Sequence, residues 1–356
     1  MEGRHGVPIA NTLRMAGRTA IVAAGSLLAF ASGLWGALAL WYRFPGGRIA
    51  RVLATLAWSL ATASLLTVAI AEHRWMPLAG WAALYACLLL WWMHIVPSGQ
   101  RAWRDDVARL LTARVTGDHV LLDNVRDFTW RSDTDYDIRW ESRRCDLAQL
   151  CSADAVLSHW GNRAIAHAMI SFGFDDGSHL VFSVEVRRSR DQQYSSLGGF
   201  FKQFETILVC AGENDIIRVR TSVRDEDVYL YPLRIDRPTL RALLLSYVHA
   251  ANRLAGRPAF YNTFTSNCTT IVHRMARQID PGLPWDMRLL LTGYLPEYLQ
   301  RIGALDPDVP TETLRGRARI SARARAAPPG ADFSQVIRTP QPAEPHAAET
   351  IADVAT

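Results

Sequence analysis

Residues 166–187, AHAMISFGFDDGSHLVFSVEVR, predict the centre of the fold of the globular part. Two apolar stretches flank the sequence DDG at 175–177, and a three-residue loop that ends in Gly suits a type I turn followed by a left-handed residue. Closing this loop places Ile170 opposite Phe182 and makes one face of the hairpin uniformly apolar. A register shifted by one residue would mix apolar and charged groups on each face, which burial disfavours.

The other face of the predicted hairpin carries polar side chains together with Met169 and Val181. The same register sets His167 directly opposite Glu185, and Ser183 and Arg187 belong to this face as well. A carboxylate beside an imidazole favours the charged form of the imidazole. The hairpin therefore predicts a histidine with a carboxylate partner, and Ser183 or another polar residue is the alternative partner if Glu185 lies on another face.

A cysteine stands where a helix is predicted to begin. Ser266 or Asn267 can serve as the N-cap of a helix over 268–278, in which apolar residues recur with the spacing of one helical face. Free backbone N–H groups and the helix dipole both favour a thiolate at Cys268. Cys268 is thus a candidate nucleophile, and a buried structural cysteine is the alternative interpretation.

Three side chains could form a thiol site. A cysteine nucleophile needs a base, and the base works better when a third group holds its tautomer. We predict these roles for Cys268, His167 and Glu185, with acyl transfer through a thioester. The sequence also contains rival bases, which are His159, His179, His249 and His273.

An oxyanion at this site would need hydrogen-bond donors. The backbone N–H of Cys268 and the side chains of Asn267 or Tyr261 are candidates. Ser183 and Arg187 are further candidates for contacts with substrate. We predict no metal and no cofactor at the site.

The first hundred residues predict a membrane anchor. Three apolar stretches, at 19–42, 52–71 and 77–96, are each about the 20 residues needed to cross a hydrocarbon core. Tryptophans lie near the proposed ends, as expected of an aromatic belt. We predict an N-terminal tail over 1–18 and three transmembrane helices over 19–97; buried helices of a soluble protein are the alternative.

The remainder predicts an α+β domain over 98–306 and a tail over 307–356. Its predicted helices are 148–159, 239–255 and 268–278, and its predicted strands are 165–174, 180–187, 206–210, 216–221 and 227–233. The tail is basic at first, then rich in Pro and Ala without apolar periodicity, and is predicted to be disordered.

Composition excludes several classes of protein. Five cysteines without a CxxC pair do not fit a disulfide scaffold or a zinc site, and the chain contains no Gly-rich phosphate loop or dinucleotide fingerprint. The net charge is +5, with an arginine cluster at 315–325. Beside a membrane such a cluster more simply meets anionic lipid than nucleic acid, so no nucleic-acid partner is predicted.

Four separated motifs, at 166–174, 182–187, 194–201 and 260–270, resemble a bacterial membrane-protein family. This family shares the N-terminal periplasmic domain of the lipoprotein N-acyltransferase Lnb. The resemblance covers roughly 124–275. The order, with the histidine first and the cysteine last, also resembles circularly permuted papain-like domains such as that of lecithin retinol acyltransferase, in which a strand histidine activates a cysteine at a helix start.

The resemblance implies a multi-pass protein of the bacterial inner membrane with a thiol site facing the periplasm. In Lnb-type chemistry an acyl group leaves the glycerol ester of a lipid-modified cysteine and reaches the amino group of that cysteine. The motifs carry these roles onto His167, Glu185 and Cys268, with membrane lipids or lipid-modified protein as substrates. The present chain has its spans before the domain whereas Lnb has them after it, so a shared substrate does not follow from the shared domain.

Two other functions stay open. A papain-like cysteine amidase or peptidase would act on cell-wall peptides, and a non-catalytic binding module of the envelope would not need Cys268. The membrane side is also open, because the count of arginines around the three spans leans slightly toward a cytoplasmic domain.

Overall fold

The computed structural model describes residues 7–339, which form two compact units. The first unit contains the chain up to Arg101 together with Arg188–Glu205 and Pro258–Thr263. The second unit contains the other described residues. The predicted boundary at 97/98 therefore differs from the structural division, because two later segments join the anchor.

The first unit contains three long apolar helices, α1 (Val7–Arg43), α2 (Arg48–Glu72) and α3 (Met76–His94). All three are long and apolar enough to cross a membrane. The prediction of three apolar N-terminal helices is confirmed. The predicted tail over 1–18 is helical from Val7 onward, because polar residues can extend a helix beyond its apolar span; residues 1–6 lie outside the described residues.

The segment Arg188–Glu205 packs on aromatic side chains of these helices. The ring of Phe201 stacks on Tyr42, with 5.5 Å between ring centroids, and meets Trp92 edge-on at 6.3 Å. Lys202 Nζ donates a hydrogen bond to the Trp92 carbonyl oxygen over 2.7 Å. A Cβ atom on Gly198 would lie 1.7 Å from Gln203 Oε1, so a larger residue there would require the Gln203 side chain to move.

The second unit is built on one mostly antiparallel sheet. The sheet order is β1-β2-β9-β8-β7-β6-β10, and β5 pairs with β2. The strands are β1 (Thr112–Thr116), β2 (His119–Arg126), β5 (Trp140–Asp146), β6 (Leu150–His159), β7 (Ala166–Phe174), β8 (His179–Arg187), β9 (Glu205–Gly212) and β10 (Asp227–Pro232); the short β3 (Thr129–Trp130) and β4 (Tyr136–Asp137) pair separately. The predicted α+β class is confirmed.

The β7–β8 hairpin has the predicted register. Ile170 pairs with Phe182 and Met169 with Ser183. The Gly177 N–H donates to the Phe174 carbonyl over 2.9 Å, and Gly177 has a φ of 80°, as the predicted turn requires. Alternation and turn chemistry were therefore sufficient to fix the pairing at the centre of the sheet.

Helices cover both faces of the sheet. They are α4 (Glu213–Arg218), α5 (Arg237–Gly256), α6 (Cys268–Ile279), α7 (Leu295–Arg301), α8 (Thr311–Ala318), α9 (Ser321–Ala326) and α10 (Phe333–Arg338). The apolar face of the hairpin packs in one core with α5, α6 and α7. Met169 and Val181 of the other face pack in a second core with α4, α9 and α10.

Two predicted elements are wrong. The predicted helix 148–159 is strand β6, which lies inside the sheet, so burial on both faces removes the alternation that marks an exposed strand. The predicted strand 216–221 is helical, formed by α4 and a π-helical turn over Val219–Val223. Its β-branched residues favour a strand in isolation, but Ile216 and Ile217 are buried in the second core, and tertiary packing overrides this propensity.

The prediction of a disordered tail from residue 307 is wrong for the described part. Helices α8, α9 and α10 occupy this region, and Ile320, Phe333 and Ile337 are buried in the second core. A few apolar side chains are enough to order this segment, because the sheet supplies the rest of the apolar surface. The composition of the segment alone does not reveal that surface. Residues 340–356 lie outside the described residues.

Candidate active site

Cys268 is the first residue of α6, and Asn267 caps this helix. Asn267 Oδ1 accepts hydrogen bonds from the N–H groups of Thr269 and Thr270 at 3.1 and 2.8 Å, and the Thr270 hydroxyl accepts from the Asn267 N–H at 3.0 Å. This reciprocal capping box fixes where the helix begins. Asn267, which was predicted as an oxyanion donor, thus caps the helix and fixes the position of Cys268.

The Cys268 thiol lies where the β7–β8 ladder ends. The pairing of the two strands runs from Gly173–His179 to Met169–Ser183, although both strands continue beyond the last pair. The backbone N–H of Ala168 donates to the Cys268 sulfur. The side chain is buried, with 8% of the residue exposed.

His167 connects the thiol to a carboxylate. His167 Nε2 lies 2.7 Å from Ser183 Oγ and 3.1 Å from Glu185 Oε1, and Ser183 Oγ donates to the same carboxylate oxygen over 2.7 Å. Because the Ser183 hydroxyl donates to Glu185, His167 Nε2 must donate to this pair and carry a hydrogen. Nδ1 is then the ring nitrogen left for the hydrogen bond between His167 and Cys268.

A residue that the sequence analysis missed completes this chain of contacts. Arg220 Nη2 donates to Glu185 Oε1 over 2.8 Å, and Arg220 is buried. It lies in the helical segment that was predicted as a strand, 35 residues from Glu185. No local pattern in the sequence indicates such a contact, which only the packing of α4 and the following turn creates.

Burial and charge act in opposite directions on the pKa values of this group. Burial lowers the pKa of His167, but the Glu185 carboxylate and the hydrogen bond to Cys268 outweigh it and raise this pKa to about 9. Burial raises the pKa of Cys268, but His167 and the Ala168 N–H outweigh it, so the net shift is downward. The pKa of Glu185 lies well below its ordinary value because His167 and Arg220 outweigh burial. At neutral pH this arrangement favours a thiolate beside an imidazolium.

Two other predicted site residues have structural contacts. Arg187 is buried: its Nε and Nη2 donate to the carbonyls of Val107 and Ala108 at 3.0 and 2.7 Å, and its guanidinium lies over the Trp103 ring. These donors are therefore engaged and not free for a substrate. Tyr261 belongs to the first unit, where its N–H donates to the Phe204 carbonyl.

The rival histidines have other surroundings. His167 is the histidine that the structure brings to Cys268. The His159 ring contacts Tyr229, His179 Nδ1 contacts the Gly177 carbonyl, His273 Nε2 contacts the Pro284 carbonyl, and His249 is exposed.

One group of side chains has the composition of a metal site. Asp154, His179 and Glu213 each bring a ligand atom to within 4.8 Å of the others. Arg338 of α10 already bonds both carboxylates: its Nη2 donates to Asp154 at 2.6 Å and its Nη1 to Glu213 at 2.7 Å. The guanidinium thus supplies the positive charge that a cation would bring, and we assign this cluster a structural role.

An apolar cavity of about 100 Å³ adjoins Cys268. It lies between α6, α7 and the β6–β7 pair. Its wall includes Ala155, Ala168, Ile170, Tyr247, Val272, Ala276, Leu283, Leu289, Leu299 and Ile302.

Comparison with known proteins agrees with the resemblance of the motifs. No curated protein and no solved structure matches the chain. Residues 136–293, which include His167, Glu185 and Cys268, match the sequence model of the Lnb N-terminal periplasmic domain. Residues 136–293 are therefore similar to the Lnb N-terminal periplasmic domain, and the three apolar helices that precede them fit a membrane protein with a periplasmic domain.

Proposed function

We propose that this protein is a membrane-anchored thiol enzyme that transfers or hydrolyses acyl groups through a thioester on Cys268. The observation that carries the proposal is the hydrogen-bonded series Cys268–His167–Ser183/Glu185 at the start of a capped helix. A buried structural cysteine has no need of a histidine partner whose own position is fixed by a carboxylate. The match to the Lnb domain supports a lipoprotein-modifying protein of the cell envelope.

The chemistry follows from the protonation states. The Cys268 thiolate attacks the carbonyl carbon of an ester, the carbon–sulfur bond forms, and the oxyanion accepts a hydrogen bond from the Cys268 N–H. When the ester carbon–oxygen bond breaks, the His167 imidazolium gives its proton to the leaving alkoxide. An amine or water then attacks the thioester carbonyl carbon and loses its proton to His167, and cleavage of the carbon–sulfur bond releases the product and regenerates the thiolate beside the imidazolium.

Glu185 and Ser183 act through His167 in this scheme. Their hydrogen bonds to Nε2 keep Nδ1 directed to the thiol, and the carboxylate stabilises the imidazolium. Arg220 in turn holds Glu185. The arrangement of a strand histidine and a helix-start cysteine supports a permuted papain-like core.

The surroundings of the thiol favour a lipid over a peptide. The cavity beside Cys268 is almost entirely apolar, whereas a site for cell-wall peptides needs hydrogen-bonding groups for the peptide backbone. Three apolar helices would also hold the domain close to lipid substrates and raise their effective concentration. We therefore favour acyl transfer over the amidase and the non-catalytic alternatives.

The experiment is trapping of the acyl-enzyme. Full-length protein in lipid nanodiscs is mixed with a p-nitrophenyl acyl ester, and intact mass together with peptide mapping locates the adduct. We expect one acyl group on Cys268 in the wild type and none on that peptide in Cys268→Ala. An adduct that persists in Cys268→Ala, or a wild type that reacts with no ester, contradicts the proposal. Cys145→Ala is the matched control, because Cys145 is buried to nearly the same extent as Cys268 but has no role in the proposed reaction.

A further inference from the structure

The cavity beside Cys268 contains one polar group that the scheme above does not use. Tyr247 of α5 lines the cavity and is fully buried, and its hydroxyl has no hydrogen-bond partner among the described residues. Its ring is fixed in the core by Phe172 and Phe182, with centroids at 5.9 and 5.4 Å. A buried hydroxyl without a partner is costly, so its retention needs an explanation.

Tyr247 and Cys268 line the same cavity. Burial raises the pKa of Tyr247, and the negative charge of Cys268 raises it further. The phenol therefore keeps its proton and can act as a hydrogen-bond donor. If the acceptor for the Tyr247 hydroxyl belongs to the substrate, this hydroxyl has no partner in the free protein.

The other polar groups around the cavity are already bonded. The Thr269 hydroxyl lies within hydrogen-bonding distance of the Leu289 carbonyl, His273 Nε2 contacts the Pro284 carbonyl, and the Tyr298 hydroxyl donates to the same carbonyl. A molecule in this cavity thus meets an almost entirely apolar wall, and the residues that line it include Cys268 and Tyr247, whose hydroxyl has no partner among the described residues. An acyl group has the matching chemistry, with a hydrocarbon chain and a single carbonyl oxygen.

We propose that the cavity binds the acyl chain of the substrate and that the Tyr247 hydroxyl donates to the acyl carbonyl oxygen. This inference rests on the proposed function and adds the substrate class and a further catalytic residue. The cavity of about 100 Å³ is smaller than the roughly 150 Å³ that holds a benzene ring in an engineered protein. It therefore takes the first few carbons of the chain, and the remainder lies outside it.

Chain-length selectivity tests the cavity. Acetyl and octanoyl p-nitrophenyl esters are compared in nanodiscs rather than in detergent, because detergent alkyl chains would compete for the same site. We expect octanoyl transfer to Cys268 to be at least about 10-fold faster than acetyl transfer, since each buried methylene contributes to binding. Ala276→Phe places a ring in the cavity and should lower the octanoyl-to-acetyl rate ratio to about one.

Gln278→Phe is the matched control. It adds the same side chain to the same helix at an exposed position that does not line the cavity, and it should keep the octanoyl preference. An octanoyl-to-acetyl ratio that is equal in the wild type and in Ala276→Phe overturns the assignment of the cavity. That result, with acetyl transfer to Cys268 intact, leaves the proposed function standing.

Tyr247→Phe tests the donor. It removes one hydroxyl that has no partner, so thermal stability should be unchanged or higher, whereas acylation by both esters should fall by about 100-fold, as for the loss of one oxyanion donor. A merely structural tyrosine would show the opposite pattern, with lower stability and an unchanged acylation rate. That opposite pattern would overturn the role of Tyr247.

Binding without chemistry separates the two proposals. In Cys268→Ala, displacement of a fluorescent fatty acid by octanoate reports on the cavity even if no ester acylates the wild type. Loss of binding in Cys268→Ala/Ala276→Phe, and its retention in Cys268→Ala/Gln278→Phe, supports the acyl cavity on its own. Equal binding in both double variants, or no binding in Cys268→Ala, contradicts it.

Discussion

Cys268 and Cys145 are almost equally exposed, at 8% and 7%, but their electrostatic surroundings differ. Burial raises the pKa of Cys145 to about 11, whereas His167 and the Ala168 N–H bring the pKa of Cys268 below its ordinary value. We expect iodoacetamide to alkylate Cys268 already at pH 7. The rate should rise with pH and reach its plateau below pH 9. Cys145 in the same sample should react only near pH 11, and peptide mapping across a pH series measures both.

The pairing of Cys268 with His167 also predicts an upper pH limit for acyl transfer. The pKa of His167 is raised to about 9, so the stability contributed by its ion pairing is complete below its ordinary value of 6.5 and is lost as the pH rises through about 9. Acyl transfer from an alkyl ester should fall over this range because the alkoxide leaving group loses its acid, while alkylation of the thiolate continues. Equal pH profiles for alkylation and acyl transfer would contradict the assigned roles.

Glu185 and Ser183 both contact His167 Nε2, but only Glu185 is charged. Glu185→Gln removes the charge that raises the pKa of His167, so the Cys268 thiolate should lose its partner. We expect alkylation at pH 7 to slow by about 10-fold or more, because an adjacent charge shifts a pKa by about one to three units. Ser183→Ala keeps the charge and should slow alkylation less; the reverse order would show that the hydroxyl, not the carboxylate, controls the imidazole.

The sequence predicted the His167–Glu185 pair because both residues belong to one hairpin whose turn and alternation fix its register. The sequence did not show that Asn267 and Arg187, both candidates for contacts with substrate, have structural contacts instead. Asn267 acts as the cap of α6, as its position before the helix indicates, while Arg187 turns to backbone carbonyls about 80 residues away in the chain. Contacts set by distant segments leave no periodic signal in the sequence.

At the scale of elements, α10 is held by an ion-pair cluster that the composition of the tail did not reveal. The side chains of Asp154 and Glu213 are 6% and 0% exposed, and Arg338 bonds both. The Ser171 hydroxyl donates to Glu213 as well, over 2.6 Å. Two carboxylates from β6 and the start of α4 are thus tied to a helix near the C-terminus, which explains why residues after 307 fold onto the sheet.

Replacing Arg338 should destabilise the second unit. Arg338→Met leaves two buried carboxylates without a positive partner, which costs about 3–5 kcal/mol of unfolding free energy for a buried pair. Arg325→Met is the control, because its pair with Asp225 is exposed, at 43% and 85% of the side chains, and is worth about 0–1 kcal/mol. Thermal unfolding in nanodiscs compares the two variants. Similar losses of stability in both variants would contradict the conclusion that Arg338 stabilises the second unit by pairing with Asp154 and Glu213.

At the scale of the whole molecule, two sequence signals disagree about the membrane side. If the three helices all cross, the loop with Arg43, Arg48 and Arg51 and the segment with Arg101 lie on the side of the second unit, which the positive-inside rule assigns to the cytoplasm. Two of these arginines have uses within the first unit: Arg43 lies over the Phe260 ring, and Arg101 pairs with Glu205 at 3.9 Å. Their presence therefore has a structural reason, and the match to a periplasmic domain carries more weight.

Cysteine labelling can decide the orientation with a residue that the chain already has. Cys151 is exposed in the second unit, and a membrane-impermeant maleimide should label it in intact spheroplasts if this unit faces the periplasm. Arg74 lies in the turn between α2 and α3. If all three helices cross the membrane, this turn and the second unit lie on opposite sides of it. A cysteine introduced at this position in Cys151→Ser/Arg74→Cys should therefore react only after permeabilisation. Cys151→Ser alone gives the background from the other thiols. The reverse pattern, with protection of Cys151 and labelling at position 74 in intact spheroplasts, would place the thiol site in the cytoplasm and exclude substrates that exist only in the periplasm.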